Sequence, residues 1–390
     1  MSSSVVVHLD GEIYTQQRYG GIKRVFDNLI TALAQSARAS VLIHLKPGTD
    51  WQINGLGIRN RSIRKPMQLR PRRYFRRLNQ VLHEHTISRH WGRIRNGVFH
   101  STYYTTFSSL RVPQVLTLHD MTFEDHPECF QNRQRWSRHV EAKKLCVEGA
   151  DAIICPSLHS KQRLLEYYGT KLGAKEIHVI PWGLDPSLPE ACRALDKDQP
   201  RLNFANSPFL LHVGARHPHK NTRRLLRMFG QSRLRREFQL VCVGGGEWSA
   251  EEQRLIDELK LDGRIRNVPR ATTEQLAAFY ATAATVVVPS LDEGFGFPVL
   301  EAMAFGKPVA ASRAGALPEV GGDVPFYFDP TSLEEMEQSV NIAVARNSER
   351  NYMLSAQKRA EAFRWDVCAY HHLEIYACLG VGHPFLCTRL

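Results

Sequence analysis

The sequence predicts an α/β chain of two doubly wound units that face each other across a cleft, and three observations carry that expectation. At 390 residues the chain is too long for one ordinary core, and two units of roughly 100–200 residues are the default. Short apolar runs alternate with longer amphipathic segments, the pattern of a mostly parallel sheet with helices on both faces. The alternation breaks once, over residues 186–206 (PSLPEACRALDKDQPRLNFAN), where prolines and charges suggest a linker, and then restarts.

In the first unit, Val5–Leu9 reads as a strand. Gly21–Gln35 follows as a helix, with Ile22, Val25, Phe26, Leu29, Ile30 and Leu33 at helical spacing. Further strands are expected at Val41–Leu45, Val98–His100, Val115–Leu118, Asp151–Cys155 and Ile177–Ile180, with a helix from about Ser160. In the second unit the expected strands are Phe209–Val213, Gln239–Val243, Ile265–Val268, Thr285–Pro289 and Pro308–Ala311. The helices between and after them are Asn221–Phe229, Glu251–Leu259, Thr273–Thr282, Pro298–Phe305, Leu333–Ala345 and Asn351–Phe363. The unit boundaries are therefore 1–190 and 206–364, with a last helical segment, 365–390, left to place. In open parallel sheets ligands bind beyond the carboxyl ends of strands, so with two sheets the site is expected in the cleft.

Composition narrows the class. Hydrophobic residues make up 43% and charged residues 23%, values of an ordered globular chain. The net charge of +12 seeks an anionic partner without saying which. The eight cysteines show neither a CxxC pair nor zinc spacing, so reduced thiols in a cytoplasmic setting are expected. The opening MSSSVVVHLDGEIY lacks the charged and apolar regions of an export signal. No stretch reaches the ~18 apolar residues of a membrane span, so any membrane contact is expected to be peripheral.

The strongest chemical signal is PSLDEGFGFPVLEAMAFGKPVAAS, Pro289–Ser312, ordered strand, loop, helix, strand. Pro298 suits a first helical position and Gly306 a helix stop. Gly294 and Gly296 permit close approach of the backbone to a ligand, and the free N–H groups of the helix start suit a diphosphate. Glu293 and Glu301 flank the loop, and a carboxylate accepts two hydroxyl hydrogens, as vicinal sugar hydroxyls offer. A solvated helix start is the plainer explanation of Glu301 taken alone. In HVGARHPHKNTRRLL, Arg216 and Lys220 follow a strand that ends at Gly214, before a helix expected to be capped by Asn221. They can clamp a diphosphate as it leaves, or be two surface cations. In TLHDMTFEDHPE, His119 ends a strand of the first unit, where it can meet a sugar hydroxyl or phosphate, or be a satisfied structural histidine. Gly20-Gly21 precedes the first long helix and makes either a close approach to a ligand or an ordinary turn.

Gly20-Gly21, His119-Asp120, Gly214-x-Arg216-x3-Lys220 and Glu293-x7-Glu301 occur in an order that resembles glycosyltransferase family 4, the large retaining group with the GT-B fold of two Rossmann-like domains. Ile180–Asp185 (IPWGLD) resembles its domain-boundary motif, with Trp182 where the family usually has Asn. Gly315-x2-Pro318-Glu319-Val320 resembles a later turn. The resemblance implies that Glu301 holds the donor ribose, Glu293 the transferred sugar, and Arg216 and Lys220 the diphosphate. It places Gly296, Phe297 and Pro298 along the donor, Gly21 near the phosphates, His119 near the sugar and Arg270 near the base. It also implies a final helix, FRWDVCAYHHLEIYACL, that crosses back to the N-terminal domain, and front-face attack with the leaving phosphate as base. The opening QRYGGIKRVFDNL is similar to that of mannosyl and related transferases of bacterial surface polysaccharides, which favours GDP-mannose over UDP-linked donors.

No cofactor or metal is expected, since the one Asp-x-Asp, Asp196-Lys197-Asp198, falls in the linker. Between Arg59 and Arg95 twelve Lys or Arg face one acid, Glu84. This segment suits an anionic membrane surface, and a lipid-linked or saccharide acceptor delivered there, or it is a solvated basic helix. No nucleic-acid motif is present. A nucleotide-sugar epimerase on the same fold and a non-enzymatic anion-binding protein are the alternative functions.

Overall fold

The computed structural model describes residues 4–17, 20–46, 49, 51, 58–63, 76–130, 132–173, 175–194 and 207–380. Part of the basic segment (64–75), the linker's Asp196 and Asp198, and the end of the chain from 381 lie outside the described residues.

Among the described residues thirteen strands form two sheets. The first contains β1 (Val5–Leu9), β2 (Ala39–Leu45), β3 (Arg59–Ser62), β4 (Val98–Ser101), β5 (Gln114–Thr117), β6 (Ala152–Cys155) and β7 (Glu176–Val179), in the order β3-β2-β1-β4-β5-β6-β7. The second contains β8 (Phe209–Val213), β9 (Gln239–Val243), β10 (Ile265–Val268), β11 (Thr285–Val288), β12 (Val309–Ser312) and β13 (Phe326–Phe328), in the order β10-β9-β8-β11-β12-β13. All recorded pairings are parallel, with Val7 between Val41 and Val98 in the first sheet and Leu211 between Val241 and Val286 in the second. Central strands such as β6 and β11 are buried along their whole length, as parallel strands covered on both faces must be.

In each sheet the strand order reverses beside the first strand, β1 or β8, where adjacent crossovers leave to opposite sides. The loops after β1 and β4, and after β8 and β11, therefore splay apart and open a crevice. The helix Gly21–Gln35 covers one face of the first sheet and buries Val25, Phe26, Leu29, Ile30 and Leu33, the apolar stripe visible in the sequence.

The stretch read as linker is partly helical. Ser187–Ala194 is a helix with Leu188 buried, and its sequence hides this because three prolines dilute a single short amphipathic turn. The last helix, Trp365–Gly380, crosses back to the first sheet. Its Tyr376 hydroxyl meets His100 Nδ1 at 2.5 Å and its Glu374 pairs with Arg38 at 2.7 Å. Among the described residues no helix is long and apolar enough to cross a membrane.

Candidate active site in the interdomain cleft

Glu293 lies in the loop after β11, buried in the cleft. Its Oε1 accepts from Lys220 Nζ at 2.6 Å and from Ser290 Oγ at 2.7 Å. Lys220 ends the short 3-10 turn Pro218–Lys220, and the main-chain carbonyl of His219 in that turn accepts from Leu291 N at 2.7 Å. One loop after β8 and one after β11 are thus locked together, and Lys220 and Glu293, each singled out in the sequence for a different part of the donor, are in direct contact.

Arg216 is turned elsewhere. Its Nε donates to Glu252 Oε1 (3.1 Å), one terminal nitrogen to Gly244 O (2.6 Å) and Asn267 Oδ1 (3.2 Å), and the other to Gly246 O (2.9 Å) and Glu247 O (2.7 Å). The guanidinium also lies 4.3 Å from the centre of the Trp248 ring. A guanidinium has five N–H groups, so every donor is used. The expected position on the diphosphate is not the one observed. The physical reason is the Gly244-Gly245-Gly246 turn after β9, whose positive φ values aim carbonyls at the arginine. Asn221 also differs from expectation. It adopts φ 59° and does not cap its helix; its amide instead donates to Pro289 O at 3.0 Å and Pro330 O at 2.8 Å.

Glu301 lies on the helix Phe297–Ala304, fully buried. Its Oε2 accepts from Tyr280 OH at 2.6 Å and its Oε1 from Arg24 at 2.6 Å. Arg24 comes from the opposite domain, in the first turns of the Gly21–Gln35 helix, and also stands 4.0 Å from Asp185 in the boundary motif. The Glu301 carboxylate raises the Arg24 pKa further, against burial. Sequence reasoning missed Arg24; its signal was a cation at the helix start behind Gly20-Gly21.

The loop between the two carboxylates presses on the first domain. A Cβ at Gly294 would run into the main-chain oxygen of His119, so the close approach its lack of a side chain permits is to the facing domain rather than to a ligand. Gly294 O accepts from Ser157 Oγ at 2.8 Å. Gly296 has φ 113° and leads into Phe297 and Pro298 at the helix start. The Phe297 ring stacks on Trp182 of the boundary motif, 5.5 Å apart and nearly parallel. Neither Gly20 nor Gly21 has a left-handed φ. Gly20 is extended at 165°, and a Cβ on Gly21 would meet open space. Arg270 is exposed, two residues past β10.

His119 follows β5 and is buried in an aromatic box of Phe26, Tyr103, Tyr104 and Trp182. Its main-chain N–H donates to Tyr104 OH at 3.3 Å, while neither ring nitrogen has a hydrogen-bond partner among the described residues. Burial holds its pKa well below the ordinary histidine value, so the ring is a neutral donor and acceptor. Burial would raise the pKa of neighbouring Asp120, but Lys143, the Thr122 main-chain N–H and His119 together outweigh it and hold the pKa below the ordinary carboxylate value. Lys143 is itself fully buried and donates to Asp120 O (3.0 Å) and Glu124 Oε2 (2.6 Å).

Behind the loop, Glu319 docks on the start of the helix Leu158–Leu172, accepting from Leu158 N at 2.8 Å, where the helix dipole favours a negative charge. Asp292 accepts from His159 Nε2 (2.9 Å) and Thr122 Oγ1 (3.1 Å). Asp125, His159 and Asp292 each offer a ligand atom within 4.8 Å of the others, yet Arg163 already chelates Asp125. The donor set therefore favours an ion-pair clamp between domains over a metal centre.

Residues 19–188 match the model of the family described as Glycosyltransferase Family 4, and residues 195–360 that of Glycosyl transferases group 1. The chain is 29% identical over 248 residues to an MMP alpha-(1->4)-mannosyltransferase of Mycolicibacterium hassiacum, covering 62% of this chain and 58% of that protein's own length. It is 27% identical over 279 residues to the O-antigen chain mannosyltransferase B of Escherichia coli, covering 68% and 70%. The crystal structure of Anabaena HepE with UDP and glucose has the same fold, with a TM-score of 0.68 at 20% identity over 96% of this chain and 99% of that one. With both units matched in turn and the GT-B architecture in place, the chain belongs to glycosyltransferase family 4.

Proposed function

We propose that the chain is a retaining hexosyltransferase. It moves a hexose from a nucleotide-diphosphate sugar to a hydroxyl of a saccharide or lipid-linked acceptor, in the synthesis of a surface polysaccharide or lipopolysaccharide. The observation that carries this reading is the cleft's own layout. Lys220 and Glu293 are in contact at 2.6 Å, Glu301 follows on the helix Phe297–Ala304, and His119, its ring nitrogens unpartnered among the described residues, lies in the other domain with its main-chain oxygen against Gly294. Cation, two carboxylates and a neutral imidazole suit a diphosphate, the hydroxyls of ribose and hexose, and a sugar oxygen respectively. The two mannosyltransferase relatives support mannose as the sugar and hence a GDP-linked donor. UDP in the HepE structure keeps a UDP-linked donor open to test.

In the reaction, Glu301 would anchor the donor and Glu293 would orient the sugar. The acceptor hydroxyl would attack on the face from which the diphosphate departs. Its proton would pass to the leaving phosphate oxygen while Lys220 stabilises the charge that develops there. No cofactor or metal ion is assigned a part. Closure at Gly294 would exclude water and limit hydrolysis of the donor. The exposed basic strand Arg59–Ser62 and the helix Arg76–Trp91 would hold the enzyme on the anionic inner face of a membrane, where a lipid-linked acceptor is presented.

The test is a donor panel. Thermal stabilisation and slow hydrolysis are measured with GDP-mannose, UDP-glucose and a dTDP-sugar, with wild type and Glu293→Ala. Stabilisation by one nucleotide class, product formation only with an acceptor, and a turnover loss of about a hundredfold or more in Glu293→Ala are expected. Change of the sugar without any acceptor would favour an epimerase. Stabilisation by no nucleotide sugar would overturn the reading.

A further inference from the structure

With all five donors of Arg216 engaged, the loop after β8 needs another group to share a diphosphate with Lys220. The residue beside it is His219. Its turn is fixed against the loop that carries Glu293 by the 2.7 Å bond from Leu291 N to its carbonyl. Its ring stacks on His217 at 5.8 Å. Its Nδ1 is buried and has no hydrogen-bond partner among the described residues. The charged and titratable groups facing it are Lys220 and His217 from its own loop, Glu293 from the loop after β11, and Asp120 from the end of β5 in the other domain.

We propose that His219 is a diphosphate-binding residue of this chain, and that it does so as an imidazolium, taking one proton from solvent when the donor binds. The proposal rests on the cleft being a nucleotide-sugar site. Without ligand, burial first and then Lys220 hold the ring's pKa down to about 4, so it is neutral near pH 7. Lys220 is meanwhile neutralised by Glu293, and the loop offers little net positive charge. A diphosphate at hydrogen-bonding distance favours the protonated ring and raises its pKa. When the bond from the sugar carbon to the phosphate oxygen breaks, the electron pair stays with the diphosphate. The imidazolium, already in place, then faces the added negative charge. It need not give up its proton, because the acceptor's proton goes to the phosphate.

The sign of the pH dependence follows. Protonation is the same in both states below about pH 4. Above that, donor affinity falls as pH rises, by up to about tenfold per pH unit, until the bound-state pKa is passed. The probe must not titrate in this range itself. Intact GDP-mannose and UDP-glucose meet that need because each phosphate, linked by one ester and one anhydride bond, keeps only a single strongly acidic oxygen.

The experiment is calorimetric titration of GDP-mannose and UDP-glucose, without acceptor, into wild type, His219→Gln and His219→Arg. It is run at pH 5.5, 6.5 and 7.5, in two buffers of different ionisation enthalpy. Wild type is expected to take up a substantial fraction of a proton at pH 6.5. His219→Gln should bind about tenfold more weakly at pH 5.5 with no uptake, and His219→Arg should bind tightly at every pH, also without uptake. Normal binding by wild type with no proton uptake, or unchanged uptake in His219→Gln, overturns the proposal. Failure of wild type to bind either nucleotide sugar at any of the three pH values would instead sink the donor-site reading on which it rests.

Discussion

Replacing Arg216 with alanine separates its two readings, because a structural tie and an anion contact predict opposite outcomes. The side chain is almost wholly buried, and its removal strands the Gly244 and Glu247 carbonyls, the Asn267 side-chain oxygen and Glu252 Oε1, while Gly246 O keeps the Asn267 amide. Glu252 is itself buried and closes the capping box of the helix Ala250–Glu258 through Ser249. Breaking a buried, hydrogen-bonded pair by deleting one partner costs about 3–5 kcal/mol. In a unit of this size each kcal/mol moves the melting temperature by about 2–4 °C, so a fall of about 10 °C is expected. Differential scanning fluorimetry measures it. Donor binding, titrated well below the transition, should stay within about threefold of wild type. A melting temperature within about 2 °C of wild type, together with a tenfold or larger loss of donor affinity, would refute the reasoning. It would mean that the guanidinium swings to the ligand.

Gly294→Ala should leave each domain folded but hold the domains apart, since the new Cβ meets main-chain atoms of His119 that cannot yield; near-normal melting with a turnover loss of about a hundredfold checks this. Arg24→Ala removes a 2.6 Å ion pair across the cleft, so the ligand-free chain should open, which small-angle scattering reads as a larger radius of gyration. The chain His8–His44–His90, buried at His8 and His44 and linked by ring-nitrogen contacts of 3.0 and 2.8 Å, should make the protein sensitive to acid. Burial, then its two histidine neighbours, push the His44 pKa from 6.5 to about 3. Its stabilising effect is complete above pH 6.5 and is lost progressively below it, by about 1.4 kcal/mol at pH 5.5 from this residue alone. Thermal melts at pH 7.5 and 5.5 should therefore differ by several degrees, and His44→Gln should reduce the difference.

The fold was legible because burial leaves strong periodicity. Gly21–Gln35, Phe209–Val213, Gln239–Val243, Thr273–Thr282 and Leu333–Ala345 have the same bounds in sequence and structure. Strand β3 was not legible, because its four residues, Arg59–Ser62, are all exposed at a sheet edge and carry no apolar signal. Helix Arg133–Gly149 was missed because charged residues dominate it and only Lys143, Cys146 and Val147 are buried. In the cleft, residue type and spacing singled out Lys220 and Glu293 as donor-site residues but did not foretell their direct contact. They did not predict where Arg216 points, since that depends on carbonyls of a turn some thirty residues away. Nor did they reveal Arg24 against Glu301, a contact between residues 277 positions apart that exists only when two domains close.

The crossing of the Trp365–Gly380 helix onto the first sheet sets the order of synthesis against the order of assembly. When Ala194 leaves the ribosome, the partners of Tyr376 and Leu373 on the nascent half are still bare. At about 5–20 residues per second, the stretch up to Gly380 takes roughly 10–40 s more to make. The half encoded second can close its own core while the half encoded first waits for its last piece. Exposed apolar surface during that interval makes the nascent chain a client for holding factors. It also means that a gene fragment ending near the boundary motif would encode a body with one face missing.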